Sequence, residues 1–490
     1  MPELTRQSIL RDTPRHRIYK NGRGVEDANL DFGAIRRVAS AIYVAAILIA
    51  STIAHDIQTW LGFVAILTMA SIPFFIWTKR GALQLPIFPV VALFYVPSYA
   101  NAGRLETTGS YSPDQILAGE LTVALFLAAA EAVWLFFVLR APPRIPSHGR
   151  GHVADERLRT LMIGGLLVGA IFETGTLSGW WGWMGTAYGT FRTCASSAIL
   201  LGCFVYGVVL GRRQLSGMER TVGGVLLIAI LILEASSLLL YSAILNFISV
   251  CLGYFQSGRK VPWAVIAVGL LIATTLHSGK SQMRGEYWTN GMSSTSLSEV
   301  PEIMSEWFRV GINNMVYGAP EDQQSLAERA SLLPNLLLIQ QSSPYPIPYL
   351  DGATYANFSR MLVPRFVASD KISSQENLHI LGVRYGLQTA EGVTTTTLSF
   401  GLVSEGYANF GALGVVLAGL AFGALMGWLT YWTTGAPTVS LRGFVGIASM
   451  VVPIMSVAYD FGYMLLNLLQ SIVTVVLLFL CVDSVFKRSQ

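Results

Sequence analysis

Twelve apolar runs, most of them close to 20 residues long, limit what this chain can become. They lie at 35–54, 59–78, 84–101, 115–139, 158–174, 189–211, 220–237, 239–256, 261–277, 411–432, 440–459 and 462–485. A helix of that length crosses the hydrocarbon core of a bilayer. Inside lipid every backbone polar group must be satisfied within the protein, so repeated runs of this kind become helices. The expected fold is therefore an all-α polytopic membrane protein with about twelve transmembrane helices. Composition agrees: 13% of residues are charged, against about 25% in a soluble domain. The mean hydropathy is +0.52. The stretch 220–256 reads either as one long tilted helix or as a hairpin broken near Glu234–Ser237.

Basic residues choose between those two readings. Residues 1–34 carry Arg6, Arg11, Arg15, Arg17, Lys20 and Arg23, a pattern that favours the cytoplasmic leaflet. With that tail inside and twelve spans, the short inner loops receive Lys79, Arg80, Arg140, Arg144, Arg150, Arg157, Arg159, Arg212, Arg213, Arg220, Arg259, Lys260 and Arg442. The short outer loops receive only Arg104 and Arg192. Lys and Arg on short loops mark the cytoplasmic side. One span over 220–256 would reverse this, so the hairpin is preferred and both termini are expected in the cytoplasm. The organisation is then a basic tail (1–34), nine helices (35–277), a large outer loop (278–410) and three helices with a short tail (411–490). In such a protein the net charge of +4 reports orientation and implies no nucleic-acid partner. Cys194, Cys203, Cys251 and Cys481 all fall in apolar runs without CxxC or Cys/His spacing, so neither a disulfide framework nor a zinc site is expected.

The outer loop is the one long segment that is not a span. Its first part, PEIMSEWFRVGINNMVYG, spaces Ile303, Met304, Trp307, Phe308, Ile312 and Met315 as an amphipathic helix does. Such a helix either packs on its neighbours or lies in the outer interface. A second helix is expected over 320–338, with Glu321 and Asp322 in its first turn. Beyond it, Pro344, Pro346, Pro348 and Gly352 mark turns. The loop holds eight basic and twelve acidic residues, so it is not a polyanion-binding surface. Individual cations still fit a phosphate, because the arginine fork donates two bonds at once. Lys280 and Arg284 follow a span, and Arg360, Arg365 and Lys371 bracket the strip MLVPRF. Each is equally explained as a surface charge or a loop ion pair.

Acids within or beside spans are a sharper signal, because a charge in lipid is costly. Glu131 lies in mid-span; Glu173, Glu234 and Asp460 lie near outer ends; Glu405 precedes the tenth span in SEGYANFG. They read either as interhelical ion pairs or as a general base beside a cation clamp that includes Arg192. His379 is a further proton carrier by residue type. No GxSxG, P-loop or HExxH motif occurs, and the first outer loop, His55–Gln58, has no acidic pair. Metal-dependent sugar transfer is not indicated.

The order YPIPYLDGATY, RMLVPRFVASDK, a polar gap, then GLVSEGYANFG entering the Gly-rich AGLAFGALMG resembles the Wzy-type O-antigen and exopolysaccharide polymerases. The resemblance is best over 280–430. It implies a bacterial inner-membrane glycosyltransferase with a GT-C-like fold and no cofactor or metal. Its substrate would be an oligosaccharide repeat unit on undecaprenyl pyrophosphate, and its partners the bilayer and chain-length or export proteins. By position the resemblance carries over Glu405; the acceptor hydroxyl needs a base, for which Glu405 is the first candidate, with His379 and Asp460 behind it. It also carries over Arg360, Arg365 and Lys371 as pyrophosphate ligands and matches Tyr407 and Asn409. Residue chemistry adds Arg192, Lys280, Arg284 and Arg384 to the pyrophosphate candidates, and Tyr355 joins Tyr407 and Asn409 as a glycan candidate. The chain departs from the pattern in two places: no outer Arg has Gly eleven residues on, and Val367–Lys371 stands where Trp-Pro-Asp-Lys-Pro is usual. A ligase with the same donor, a flippase and a structural export subunit are the competing expectations.

Overall fold

The computed structural model describes residues 32–80, 85–101, 103, 106–141, 155–257, 259, 262–289, 292–293, 296–318, 331–363, 372–394, 398–437 and 439–488. Apart from a two-residue ladder pairing Trp288–Thr289 with Met292–Ser293, the regular structure is helical. In chain order the helices are α1 Phe32–Ile53, α2 Ile57–Lys79, α3 Ile87–Leu93, α4 Tyr95–Tyr99, α5 Pro113–Arg140, α6 Asp155–Leu177, α7 Tyr188–Gly211, α8 Gly217–Ser236 and α9 Leu240–Gln256. They continue with α10 Trp263–Tyr287, α11 Val300–Tyr317, α12 Leu333–Ser342, α13 Ala353–Leu362, α14 Glu376–Arg384, α15 Gly401–Thr433, α16 Leu441–Met455 and α17 Phe461–Arg488.

Among the described residues eight helices are long and apolar enough to cross a membrane: α1, α2, α5, α6, α7, α10, α15 and α17. The protein is therefore a polytopic helical membrane protein. The other four apolar runs are also helical but differ in kind. The third is broken into α3 and α4 at Phe94, because Pro97 has no N–H for the carbonyl of Leu93. α9 and α16 have 17 and 15 residues, fewer than the ~20 a straight span needs. α8 carries Glu219, Arg220 and Glu234. The stretch 220–256 is a hairpin: Leu238 takes a positive φ of 60° between α8 and α9, which pack together.

Two cores form the bundle. One joins α2, α3, α4, α5, α12, α15, α16 and α17 around Phe88, Tyr95, Phe126, Trp134 and Phe422. The other joins α6, α7, α8, α9, α16 and α17 around Phe172, Phe204, Tyr206 and Phe444. Glycine lets the helices approach. A Cβ on Gly423 would lie 2.1 Å from the Ala130 carbonyl oxygen, and one on Gly419 2.5 Å from that of Phe126. The Gly-rich stretch of α15 thus packs lengthwise on α5, a use of small residues common between membrane helices. At one end of the bundle Arg157 pairs with Asp483, and Arg212 with Asp155 at 3.9 Å.

The amphipathic α11 packs antiparallel on α10, burying Ile303, Trp307 and Val310, with Gly311 against the Thr275 backbone. Ile312, Met315, Val316 and Tyr317 remain exposed. Of the helix expected over 320–338, residues 320–330 lie outside the described residues, and 333–338 form the start of α12. A smaller core of Ile339, Leu378, Leu381, Tyr385, Phe400 and Ala408 joins α12, α14 and the start of α15.

Candidate functional site

The SEGYANFG strip is helical, and α15 begins ten residues before the apolar run at 411. It is not one straight helix. Phe410 (φ −144°, ψ 22°) and Gly411 (φ 62°, ψ −145°) leave helical geometry. A Cβ on Gly414 would fall 2.0 Å from the carbonyl oxygen of Gly406. Eight residues of straight helix would separate those positions by about 12 Å, so the halves fold against each other. The break leaves carbonyl groups at 408 and 409 without helical donors. The YLDG turn supplies them: the N–H of Leu350 donates to the Ala408 oxygen (3.0 Å) and that of Asp351 to the Asn409 oxygen (3.2 Å). The Gly352 N–H donates to Asn409 Oδ1 (3.0 Å). Asn409 Nδ2 donates to Thr354 Oγ1 and to the Glu405 carbonyl, both at 2.8 Å. Asn409 is fully buried and serves as the staple between the turn and the broken helix. Tyr407 packs edge-on to Tyr349, ring centroids 6.3 Å apart.

This arrangement holds Glu405 beside Asp460, both fully buried. Glu405 Oε2 accepts the N–H of Phe461 at 2.8 Å, and Oε1 has no hydrogen-bond partner. Asp460 caps α17: its Oδ1 accepts the N–H of Tyr463 and the Nδ2 of Asn377, each at 3.0 Å, while Oδ2 has no partner. Asn377 is buried and its Oδ1 accepts from Asn357 Nδ2 at 3.0 Å. Thr354 lies against the Glu405 carboxyl. Tyr355 completes the site: its enclosed hydroxyl has no partner. Burial, and then the charges of Glu405 and Asp460, push that phenol well above its ordinary range. Burial also raises the Asp460 carboxyl, against the lowering effect of Asn377 and the backbone N–H groups around it. Each carboxyl has one oxygen without a hydrogen-bond partner, and the Tyr355 phenol is near enough for both charges to act on it. Such a set can accept, hold or return a proton. Among the described residues no third His, Cys, Asp or Glu joins them as a metal-ligand set.

The cations named from the sequence scatter. Arg192, exposed on α7, is near enough for its charge to act on Glu173, Glu234 and Tyr459, the neighbour of Asp460. Its charge thus reaches a residue next to the acid pair. Arg284 donates from Nε and Nη2 to the Leu238 carbonyl (3.2 and 2.9 Å) and lies 4.0 Å over the Trp288 ring. It thereby closes the α8–α9 turn. Arg384 Nη2 donates to the Pro348 carbonyl at 2.7 Å. Lys280 is half-buried on α10, and Arg360 is exposed on α13. Arg365 and Lys371 lie outside the described residues. His379 sits two residues beyond Asn377 on α14, and so on the opposite side of that helix; its Nε2 is enclosed without a partner.

Sequence reasoning missed Asn377, Asn357 and Thr354, since lone polar residues on short helices carry no motif. It also missed Glu120 on α5, fully buried with Oε1 on the Asn101 N–H at 2.9 Å and Oε2 against Gly62. An acid inside the fourth apolar run, near its start, was the available signal. Comparison with family models, with curated proteins and with solved structures yields no match to this chain.

Proposed function

We propose that this protein is a polysaccharide polymerase of the bacterial inner membrane. It has twelve spans, both termini in the cytoplasm, and the site on the outer face. It transfers a growing glycan from undecaprenyl pyrophosphate to the next lipid-linked repeat unit. The observation that carries the reading is the buried pair Glu405–Asp460, with one oxygen of each unused, under a loop that resembles the polymerases. The acceptor hydroxyl attacks the anomeric carbon, the bond from that carbon to the pyrophosphate breaks, and the hydroxyl proton passes to a carboxylate. Glu405 is the base, with Asp460 beside it. Arg192 supports the departing charge at the rim, the kind of electrostatic help that lowers such barriers. The same chemistry with another acceptor would make it a ligase.

A second reading is favoured by one specific feature. Broken membrane helices flanking buried acids also build transport sites, and α15 is such a helix. Gene deletion followed by sizing of the surface glycan separates them. Single repeat units on the surface indicate a polymerase, unattached polymer a ligase, and lipid-linked units retained inside a flippase. Within the polymerase reading, Glu405→Gln accumulates single units; full-length polymer from that variant removes Glu405 as the base.

A further inference from the structure

A second polar feature lies away from the Glu405–Asp460 pair, where α2 meets α5. A cavity of about 290 Å³ is lined by Met69, Ile72 and Ile76 of α2 and by Trp134, Leu135 and Glu131 of α5. Glu131 is the one charged side chain in the lining, and its Oε1 is enclosed without a hydrogen-bond partner. α2 contains Pro73 at the same level. Proline has no N–H, so the carbonyl four residues back, on Met69, loses its helical donor. Met69 is itself a lining residue. The cavity therefore combines apolar walls with two acceptors lacking their usual donors.

Its mouth follows from the α5 surface. Leu127 and Trp134 on one side of Glu131 are fully buried, whereas Leu125, Phe136 and Leu139 on the other side are 42%, 50% and 62% exposed. Ala132, which also borders the cavity, is exposed. Glu131 thus stands where the packed core gives way to the lipid-facing side of a membrane-spanning helix. A molecule entering there comes from the bilayer, and it finds acceptors and no donor except the Trp134 indole, which is engaged with Thr430 at 3.4 Å. A carboxyl so placed is expensive to keep in lipid unless it has a use.

We propose that this cavity is a binding site for a lipophilic molecule whose polar end donates hydrogen bonds, a primary alkylamine or its like, with Glu131 as the anchor. The ligand's chain lies along Ile72, Ile76 and Leu135. Its N–H groups meet the Glu131 carboxyl and the Met69 carbonyl. The site is independent of the glycosyl-transfer reading, since it shares no residue with it.

Dicyclohexylcarbodiimide tests this directly. This lipophilic reagent takes the carboxyl proton on one nitrogen and bonds the carboxyl oxygen to its central carbon. The full chain in phosphatidylcholine vesicles is treated with it, and loss of the unmodified Glu131 peptide is measured by mass spectrometry, counting together the carbodiimide adduct and any dodecylamide formed when the amine displaces the urea from it. Dodecylamine should slow the modification about tenfold, the effect of one or two hydrogen bonds in an apolar site. Dodecane and dodecyltrimethylammonium, which lack N–H donors, should leave the rate within about a factor of two. No adduct at Glu131, no protection by dodecylamine, or equal protection by the trimethylammonium compound would each overturn the proposal. Glu131→Gln, which keeps the side-chain shape, identifies the adduct by its loss.

Discussion

Replacing Gly411 by alanine tests the break in α15 on which the acid pair depends. The backbone there has φ 62° and ψ −145°, a region that residues with a Cβ adopt at a cost of about 1–3 kcal/mol. The new Cβ would also stand 2.6 Å from the Tyr349 hydroxyl oxygen. That oxygen ends a side chain that can swing aside, but the swing gives up the edge-on contact with Tyr407, worth about 0.5–1.5 kcal/mol. The two together come to about 1.5–4.5 kcal/mol, or roughly 10- to 2,000-fold in the folded-to-unfolded ratio. Detergent-solubilised protein unfolded by SDS, followed by tryptophan fluorescence, reads this loss. Adding Tyr349→Phe removes the oxygen, and should return the crowding share while leaving the backbone share. If Gly411→Ala is as stable as the parent protein, there is no break at 410–411. If Tyr349→Phe restores everything, the cost was crowding and the backbone argument is wrong.

Other outcomes are specific to single contacts. The Asp460 carboxyl is raised above its ordinary value in the fold, so the native state binds its proton more tightly than the unfolded chain does. The associated stability is complete at acidic pH, below the unfolded value, and is lost as pH rises through the folded one. Asn377→Leu removes a donor that favours the charged form; it should cost about 1.5–3 kcal/mol at alkaline pH, where the carboxyl is ionised, and less in acid. Equal losses at both would mean that Asn377 does not serve the Asp460 charge. Gly423→Val places side-chain atoms where the Ala130 backbone stands and should destabilise by at least the ~1–3 kcal/mol typical of overpacking, seen as reduced folded yield in gel filtration. Arg284→Ala releases the Leu238 carbonyl and should lower thermal stability by an amount matching about 1.5–3 kcal/mol. Unchanged stability with lost activity would instead assign Arg284 to substrate.

The membrane class was legible because its cause is local. Each apolar run must satisfy its own backbone in lipid, so 35–54, 115–139 or 462–485 declares a helix without reference to anything else. The hairpin over 220–256 was expected from the distribution of basic residues, and the chain does turn at Leu238. Glu405 and Asp460 could be named separately as costly acids, 55 positions apart in the chain. Their meeting was not readable. It depends on Gly411 folding α15 back, on the 349–354 turn donating to the carbonyl groups that the fold exposes, and on Asn377 arriving from α14 to hold Asp460. Each of these is a contact between segments whose pairing no local pattern encodes. The same reason scattered the arginines. A guanidinium offers the same fork to a phosphate and to a backbone carbonyl, and for Arg284 and Arg384 it was the packing of the chain that set a carbonyl within reach.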